Sequence, residues 1–315
     1  GILSLVALLL LIAHQGYGVV DMKNFNYSNT WVDLQIPGTG YGIKVERTYN
    51  SRTLFKGIFG FGWCSNFETT LAVTPEKNIL ITECGAGQEV MFYSRQKTKN
   101  AQQLGSSHQI KESTQWQTQG SEVETMTLEK GAYIRNLLDG TSERFNSLGR
   151  LTHRYDKNGN ELKLNYDNGL LKTVEDNKGR LLTFKYNDNK KVELITGPDS
   201  LMAQYKYKSS EDLVWVKNSW DNEYTYEYDD LHNMTKSVYP DGSSILLTYD
   251  KLKDWVLTFT DREKCLEVYN SEASKDDPLN HYWSTAEKRC GDQLVANNRY
   301  EFIVINKCEC PSKKQ

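Results

Sequence analysis

The sequence predicts an all-β protein: consecutive antiparallel β-hairpins that form a large curled sheet, a partial β-shell. Three observations carry this expectation. Tyr166, Tyr186, Tyr207, Tyr228 and Tyr249 recur at intervals of 20 or 21 residues, and Phe145 extends the series backwards by 21 more. Before each of these positions apolar and polar residues alternate, the pattern of a strand with one buried face. Turn signals separate the alternating runs, among them Asn158-Gly159, Asp221-Asn222 and Asp241-Gly242, and Asn-Gly and Asp-Gly tolerate the positive φ angles that tight hairpins need.

Each copy of the repeat reads as two short strands. Leu162, Leu164 and Tyr166 fall on one face of the first strand, and Glu161, Lys163 and Asn165 on the other. The pattern recurs as Leu182, Phe184, Tyr186; as Ala203, Tyr205, Tyr207; as Tyr224, Tyr226, Tyr228; and as Ile245, Leu247, Tyr249. A second alternating run follows each marker, such as Met234, Lys236, Val238 or Trp255, Leu257, Phe259. One copy cannot bury its apolar face alone, so stability must come from neighbours. About six copies between residues 145 and 269 predict about twelve strands, and a sheet that wide must twist and curl.

The chain begins with a hydrophobic run, Ile2 to Ala13, apolar except for Ser4. It is short for a membrane span, which takes about 20 residues, and it matches a signal-peptide core with Gly16 and Gly18 placed for cleavage. Residues 1–18 therefore read as the remnant of a signal peptide, and the mature protein as secreted or held in the cell envelope, with no stable membrane span. The six cysteines, Cys64, Cys84, Cys265, Cys290, Cys308 and Cys310, suit export. Proximity favours Cys64–Cys84 and Cys265–Cys290 as pairs. No CxxC knuckle is present, so a zinc site is not expected.

The net charge of −3 and pI near 6.0 give no reason to expect a nucleic-acid partner. The 38% apolar content is modest, but 19 Tyr and 7 Trp carry much area each and suit a half-buried sheet. The stretch 95–120 is rich in Gln and Ser and reads as an inserted arm. Residues 271–281 read as an exposed loop and 299–310 as a terminal strand.

At the marker positions the chain resembles the YD-repeat family, which includes Rhs proteins, the Tc toxin cocoon subunit and teneurins. The matching pieces are Gly149-Arg150-Leu151, Gly179-Arg180-Leu181, Tyr155-Asp156, Tyr166-Asp167, Tyr226-Glu227-Tyr228-Asp229 and Tyr249-Asp250. Upstream, Pro37, Gly38, Arg47, Tyr49, Asn50, Ser51, Gly57, Phe59, Gly60, Gly62, Trp63 and Glu68 resemble the domain that precedes the repeats in Rhs proteins. Residues 19–142 are accordingly expected to be an Rhs-type N-terminal β domain, 143–270 the repeats, and 271–315 a degenerate strand and loop segment. The resemblance implies a hollow β-shell around a cargo, usually a toxic C-terminal domain. Against that pattern the sequence reads as holding too few repeats to close a cocoon, Asp277-Pro278-Leu279-Asn280 does not complete a self-cleavage motif, and a toxin domain is not expected within these residues.

No catalytic constellation is present. The five histidines sit in unrelated contexts, and there is no His-Glu-x-x-His helix, nucleophile elbow or phosphate loop. The carboxylates fall at turns or on the polar strand face, where solvation explains them. Neither enzymatic activity nor a cofactor is expected. Trp215, Trp220, Tyr224 and Tyr226 form the candidate glycan-binding patch, against the alternative that strict alternation places such rings on a buried face. Asn26-Tyr27-Ser28 and Asn233-Met234-Thr235 are glycosylation sequons by pattern. The expected function is an exported, non-enzymatic scaffold, the front portion of a β-shell that encloses or presents a C-terminal cargo domain. Its expected partners are downstream repeats or the cargo. The alternative is a cell-surface adhesin that binds glycans or proteins.

Overall fold

The computed structural model describes residues 18–83, 89–94, 114–120, 123–209 and 211–304. The hydrophobic leader, Cys84, Cys308, Cys310 and most of the 95–120 arm lie outside the described residues. Two main sheets make up the fold, beside a two-stranded ribbon of Lys56–Gly57 and Gly60–Phe61. The smaller pairs Val19–Val20, Tyr27–Ile36, Ile43–Asn50 and Trp63–Ser65 in that order, all antiparallel. The larger contains 21 strands in chain order, from Thr70–Val73 to Gln293–Ile303, each antiparallel to the next. It is open: Gln293–Ile303 pairs with His281–Cys290, and Thr70 touches Arg150 through a single bridge.

The larger sheet extends beyond the expected dozen strands at both ends. Ser142–Phe145 pairs with both Ala132–Asn136 and Leu151–Tyr155, so residue 142 is no boundary in the sheet. Only residues before Thr70 stand apart from the larger sheet. Likewise, 281–303 is a long regular hairpin rather than a degenerate segment. The two sheets share one core, in which Trp31, Tyr49 and Trp63 from the first pack with Tyr205, Tyr226 and Phe259 from the second.

Each marker residue sits at a β-bulge. The register shifts at Phe145, Tyr166, Tyr186, Tyr207, Tyr228 and Tyr249, which face Leu151, Leu171, Val192, Leu213, Met234 and Val256. A bulge adds one residue to one strand and interrupts the ladder. It also changes the second strand's periodicity. Inward positions there are Val192 and Ile195, Leu213 and Val216, Met234 and Ser237, and Val256 and Phe259. The expected grouping of Met234 with Lys236 and Val238, and of Trp255 with Leu257 and Phe259, is therefore corrected to an i, i+3 pattern.

The marker tyrosines occupy equivalent places. Tyr166, Tyr186, Tyr207, Tyr228 and Tyr249 donate their hydroxyls to the carbonyls of Leu151, Leu171, Val192, Leu213 and Met234, at 2.7–2.8 Å. Each accepting residue faces the marker of the preceding copy. Burial raises the pKa of all five hydroxyls, Tyr166 to about 12, so they remain neutral donors. The turns that follow use side chains as well as backbone. Asp156 Oδ1 accepts from the N–H groups of Asn158 and Asn160, and Asp176, Asn187, Asn218 and Asp229 repeat the arrangement.

Cys265 and Cys290 are bonded across the strands they flank, with Cα atoms 4.2 Å apart, as their proximity predicts. Cys64 is also disulfide-bonded; Cys84, its expected partner, lies outside the described residues. Among the described residues no helix is long and apolar enough to cross a membrane.

The ladder of hydroxyls predicts the effect of removing one. Tyr207→Phe keeps the ring and leaves the buried Val192 carbonyl without its donor, which costs about 1–2 kcal/mol. The urea midpoint of unfolding should fall accordingly with an unchanged m-value. A midpoint equal to that of the parent would show that the hydroxyl does not couple neighbouring copies.

Candidate functional site

The densest constellation of polar and aromatic groups lies where the small sheet meets the inner face of the large one. Arg47, on strand Ile43–Asn50, is fully buried. Its Nε donates to Asp33 Oδ2 at 2.6 Å and its Nη2 to the Tyr226 hydroxyl at 2.9 Å. Tyr205 donates to the same Asp33 oxygen at 2.9 Å. The guanidinium carbon lies 4.6 Å from the Trp63 ring centroid, 5.3 Å from that of Tyr226 and 5.4 Å from that of Trp31. Arg47 Nη1 has no hydrogen-bond partner among the described residues; three aromatic faces cover the cation instead. Burial opposes the charge on Arg47, but Asp33 and the neighbouring hydroxyls outweigh it and hold the group above its ordinary pKa.

Trp63 and Tyr49 extend the contact. Trp63 Nε1 donates to the Tyr228 hydroxyl at 2.8 Å, and the Tyr49 hydroxyl accepts the Met234 N–H at 2.8 Å. Met234 is the residue opposite the bulge at Tyr228. The same inward amide is met at two other bulges by backbone: Val192 donates to the Ile58 carbonyl at 2.9 Å and Val256 to the Phe25 carbonyl at 3.1 Å. The interrupted ladder thus presents groups that the N-terminal segment satisfies.

The remaining motif residues shape this segment. A Cβ at Gly60 would lie 2.5 Å from the Glu211 carbonyl oxygen, and one at Gly62 2.7 Å from the Tyr49 ring, and both residues have positive φ. Pro37 offers its carbonyl to Arg180 Nη1 at 2.8 Å, beside Gly38, and Tyr41 offers its carbonyl to Arg180 Nη2 at 2.9 Å. The arginine of a Gly-Arg-Leu piece therefore clamps the loop between the first two long strands. Asn50 Oδ1 accepts from Asn26 Nδ2 at 3.0 Å.

Glu68 holds the loop before it. Its two oxygens accept the N–H groups of Ile58 and Ser65 at 2.9 and 2.8 Å. Burial pushes its pKa up to about 7 against the pull of those amides and of Lys191. Lys191 itself donates to the Gly57 carbonyl at 3.2 Å and lies 3.5 Å from Glu211, which pairs with Lys56 at 2.8 Å.

The four candidate glycan contacts do not share a face. Tyr224 and Tyr226 are buried, Tyr226 against Trp31 and Trp63 of the small sheet and Tyr224 against Tyr239. Trp215 lies on the outer side, under Lys206 at 4.3 Å and bonded to Glu223, and Trp220 is 50% exposed at a turn. Adjacent residues of a strand point to opposite faces, so a patch of all four is corrected to two outer tryptophans. The sequons are also engaged: Asn233 is buried with Nδ2 on Asp229, and Asn26 Nδ2 is held by Asn50. Among the described residues no group of three or more His, Cys, Asp or Glu is placed to hold a metal.

Residues 18–92, the span that contains this motif, match a family described as a domain of unknown function, DUF6531. No curated protein matches the chain. Among solved structures, the TcdB2-TccC3 complex is similar over 88% of this chain at 11% identity and a TM-score of 0.33, and the Tc holotoxin pore of Photorhabdus luminescens over 88% at 11% and 0.31. The chain spans 19% and 18% of the length of those chains.

The buried pair and the buried acid give two predictions. Arg47→Met leaves Asp33 buried without its cation and should destabilise by about 3–5 kcal/mol, whereas Arg47→Met with Asp33→Asn removes both charges and should lose distinctly less. Chemical denaturation of the two variants measures the difference, and equal losses would mean that the pair is not coupled. Glu68 binds its proton more tightly folded than unfolded. Its protonation therefore contributes stability that is full below pH 4.5 and lost as pH rises through about 7. The contribution is on the order of 3 kcal/mol. In a pH series, the stability of the parent should fall across this window relative to Glu68→Gln; parallel curves would refute the assignment.

Proposed function

We propose that this chain is an exported, non-enzymatic β-scaffold of the YD-repeat kind, the front portion of a shell whose wall holds polypeptide on its inner face. One observation carries the reading: the bulges turn main-chain groups inward, and a polypeptide segment already sits on them, held by the Val192, Met234 and Val256 amides. The polar groups with displaced pKa values support it. Arg47, Tyr205 and Tyr226 spend their polar atoms on joining the two sheets, and Glu68 spends its own on holding the loop of the N-terminal segment. In this reading the cargo is a polypeptide linked beyond the last strand, and the wall continues toward it.

The test is limited proteolysis of the product of the whole reading frame. A resistant wall that co-purifies with a protected, unrelated C-terminal segment is the expected result. A product with no protected segment would overturn the scaffold reading. The glycan-binding reading keeps a foothold in the outer Trp215 and Trp220. Glycan-array binding that is abolished by Trp220→Ala would favour it instead.

A further inference from the structure

We propose that an ordered water molecule is bound between the two sheets beside Arg47, with the Ser237 hydroxyl as one of its partners. The inference is independent of the scaffold reading. It rests on a serine where the repeat otherwise carries an apolar residue, and on the donors and acceptors gathered around it.

Ser237 is the inward residue that follows Met234 at i+3, and it faces Tyr226 across the strand pair. The residues in its place in other copies are Val174, Ile195, Val216 and Phe259, which face Leu164, Phe184, Tyr205 and Leu247. All four are apolar and buried. Ser237 is fully buried as well, yet it is smaller than any of them and carries a hydroxyl. Its Oγ has no hydrogen-bond partner among the described residues. A hydroxyl in that state is destabilising, and an aliphatic side chain would fill the place better. The exchange is explained if the hydroxyl has a partner that is not a protein group.

The surroundings of Ser237 hold three more atoms of this kind. Tyr226, its cross-strand neighbour, bonds Arg47 through its hydroxyl and packs edge-on against Trp31, with ring centroids 5.6 Å apart. Trp31 in turn is paired with Arg47 in the small sheet. Trp31 Nε1, Arg47 Nη1 and Asp33 Oδ1 are buried and have no hydrogen-bond partner among the described residues. The rings cover the faces of the guanidinium, whereas the Nη1 hydrogens lie in its plane and point past them. Indole and guanidinium nitrogens only donate, and an ionised carboxylate only accepts. What bonds to them must therefore both accept and donate. An anion there would meet the Asp33 carboxylate, and a cation would meet the Arg47 guanidinium. A small neutral group with both capacities fits, and water held by two to four polar partners is that group. The Ser237 hydroxyl also donates and accepts, so it closes the network from the side of the large sheet.

The test is a crystal structure of the full chain that orders its buried water, together with the urea midpoint of Ser237→Val beside that of the parent. The expected result is density for a water within hydrogen-bond distance of Ser237 Oγ and of Trp31 Nε1 or Arg47 Nη1. Ser237→Val introduces the side chain that Val216 carries in the preceding copy, and it should displace that water. Trp31 Nε1 and Arg47 Nη1 then lose their acceptor, so the midpoint should fall although apolar area is gained. A parent in which these polar atoms bond one another directly, with no water between them, would overturn the proposal. A Ser237→Val variant as stable as the parent or more so would overturn it equally, because a dry site gains from the exchange.

Discussion

At each marker tyrosine the ladder skips a residue, and the amide and carbonyl released by the skip turn toward the interior. A buried backbone group without a partner costs about 1–3 kcal/mol, so every bulge must be answered from inside the fold. The carbonyl is answered by the hydroxyl of the next copy's tyrosine, as Val192 is by Tyr207. At three bulges the amide is answered by the N-terminal segment, through Ile58, Tyr49 and Phe25. Phenylalanine can fill the same space but cannot supply the donor. At Phe145, the first marker, ring packing alone is kept.

Two kinds of coupling follow from that arrangement. The hydroxyls link each copy to its predecessor, the nearest-neighbour pattern of a repeat protein. The small sheet links copies that are far apart in sequence, because one surface touches the bulges at Tyr186, Tyr228 and Tyr249. Arg47 sits at the centre of that surface. A cation buried this deeply needs a compensating charge and a polarisable enclosure, and Asp33 with the rings of Trp31, Trp63 and Tyr226 supplies both. Lysine has neither the planar face nor the forked donors for that place.

The repeat itself was legible because a 20–21 residue spacing of one residue type survives drift elsewhere. The inward faces of the first strands, and the pairing of Cys265 with Cys290, followed from alternation and proximity. The second strands were misread because period two was assumed on both sides of the marker. The signal was present as apolar pairs at i and i+3, Val192 with Ile195 and Leu213 with Val216, which an extra residue in the ladder produces. The roles of Arg47 and Trp63 were visible only as a resemblance, since nothing local in the sequence names Tyr226 or Tyr228 as their partners. The strands between Thr70 and Asn136 were assigned to the wrong unit because their markers are absent, although their backbone ladder is continuous with the repeats.

Turn chemistry explains where the repeat signature decays. In the early turns the fourth residue is glycine, Gly159 and Gly179, at positive φ. In later copies Lys190, Glu211, Asp221 and His232 hold the same left-handed conformation, at about 1 kcal/mol or more for each side chain. At two of these positions the strain is offset by contacts that glycine cannot make. Glu211 reaches Lys56 and Lys191, and His232 bonds Asp212 at 2.8 Å and lies against the Phe61 ring. Both Lys56 and Phe61 belong to the N-terminal segment. The turns that abandon the glycine are thus, at Glu211 and His232, turns that grip that segment. At Lys208, where the other turns carry Asp or Asn, backbone bonds from Glu211 to Lys208 and from Lys208 to Asp212 close the turn.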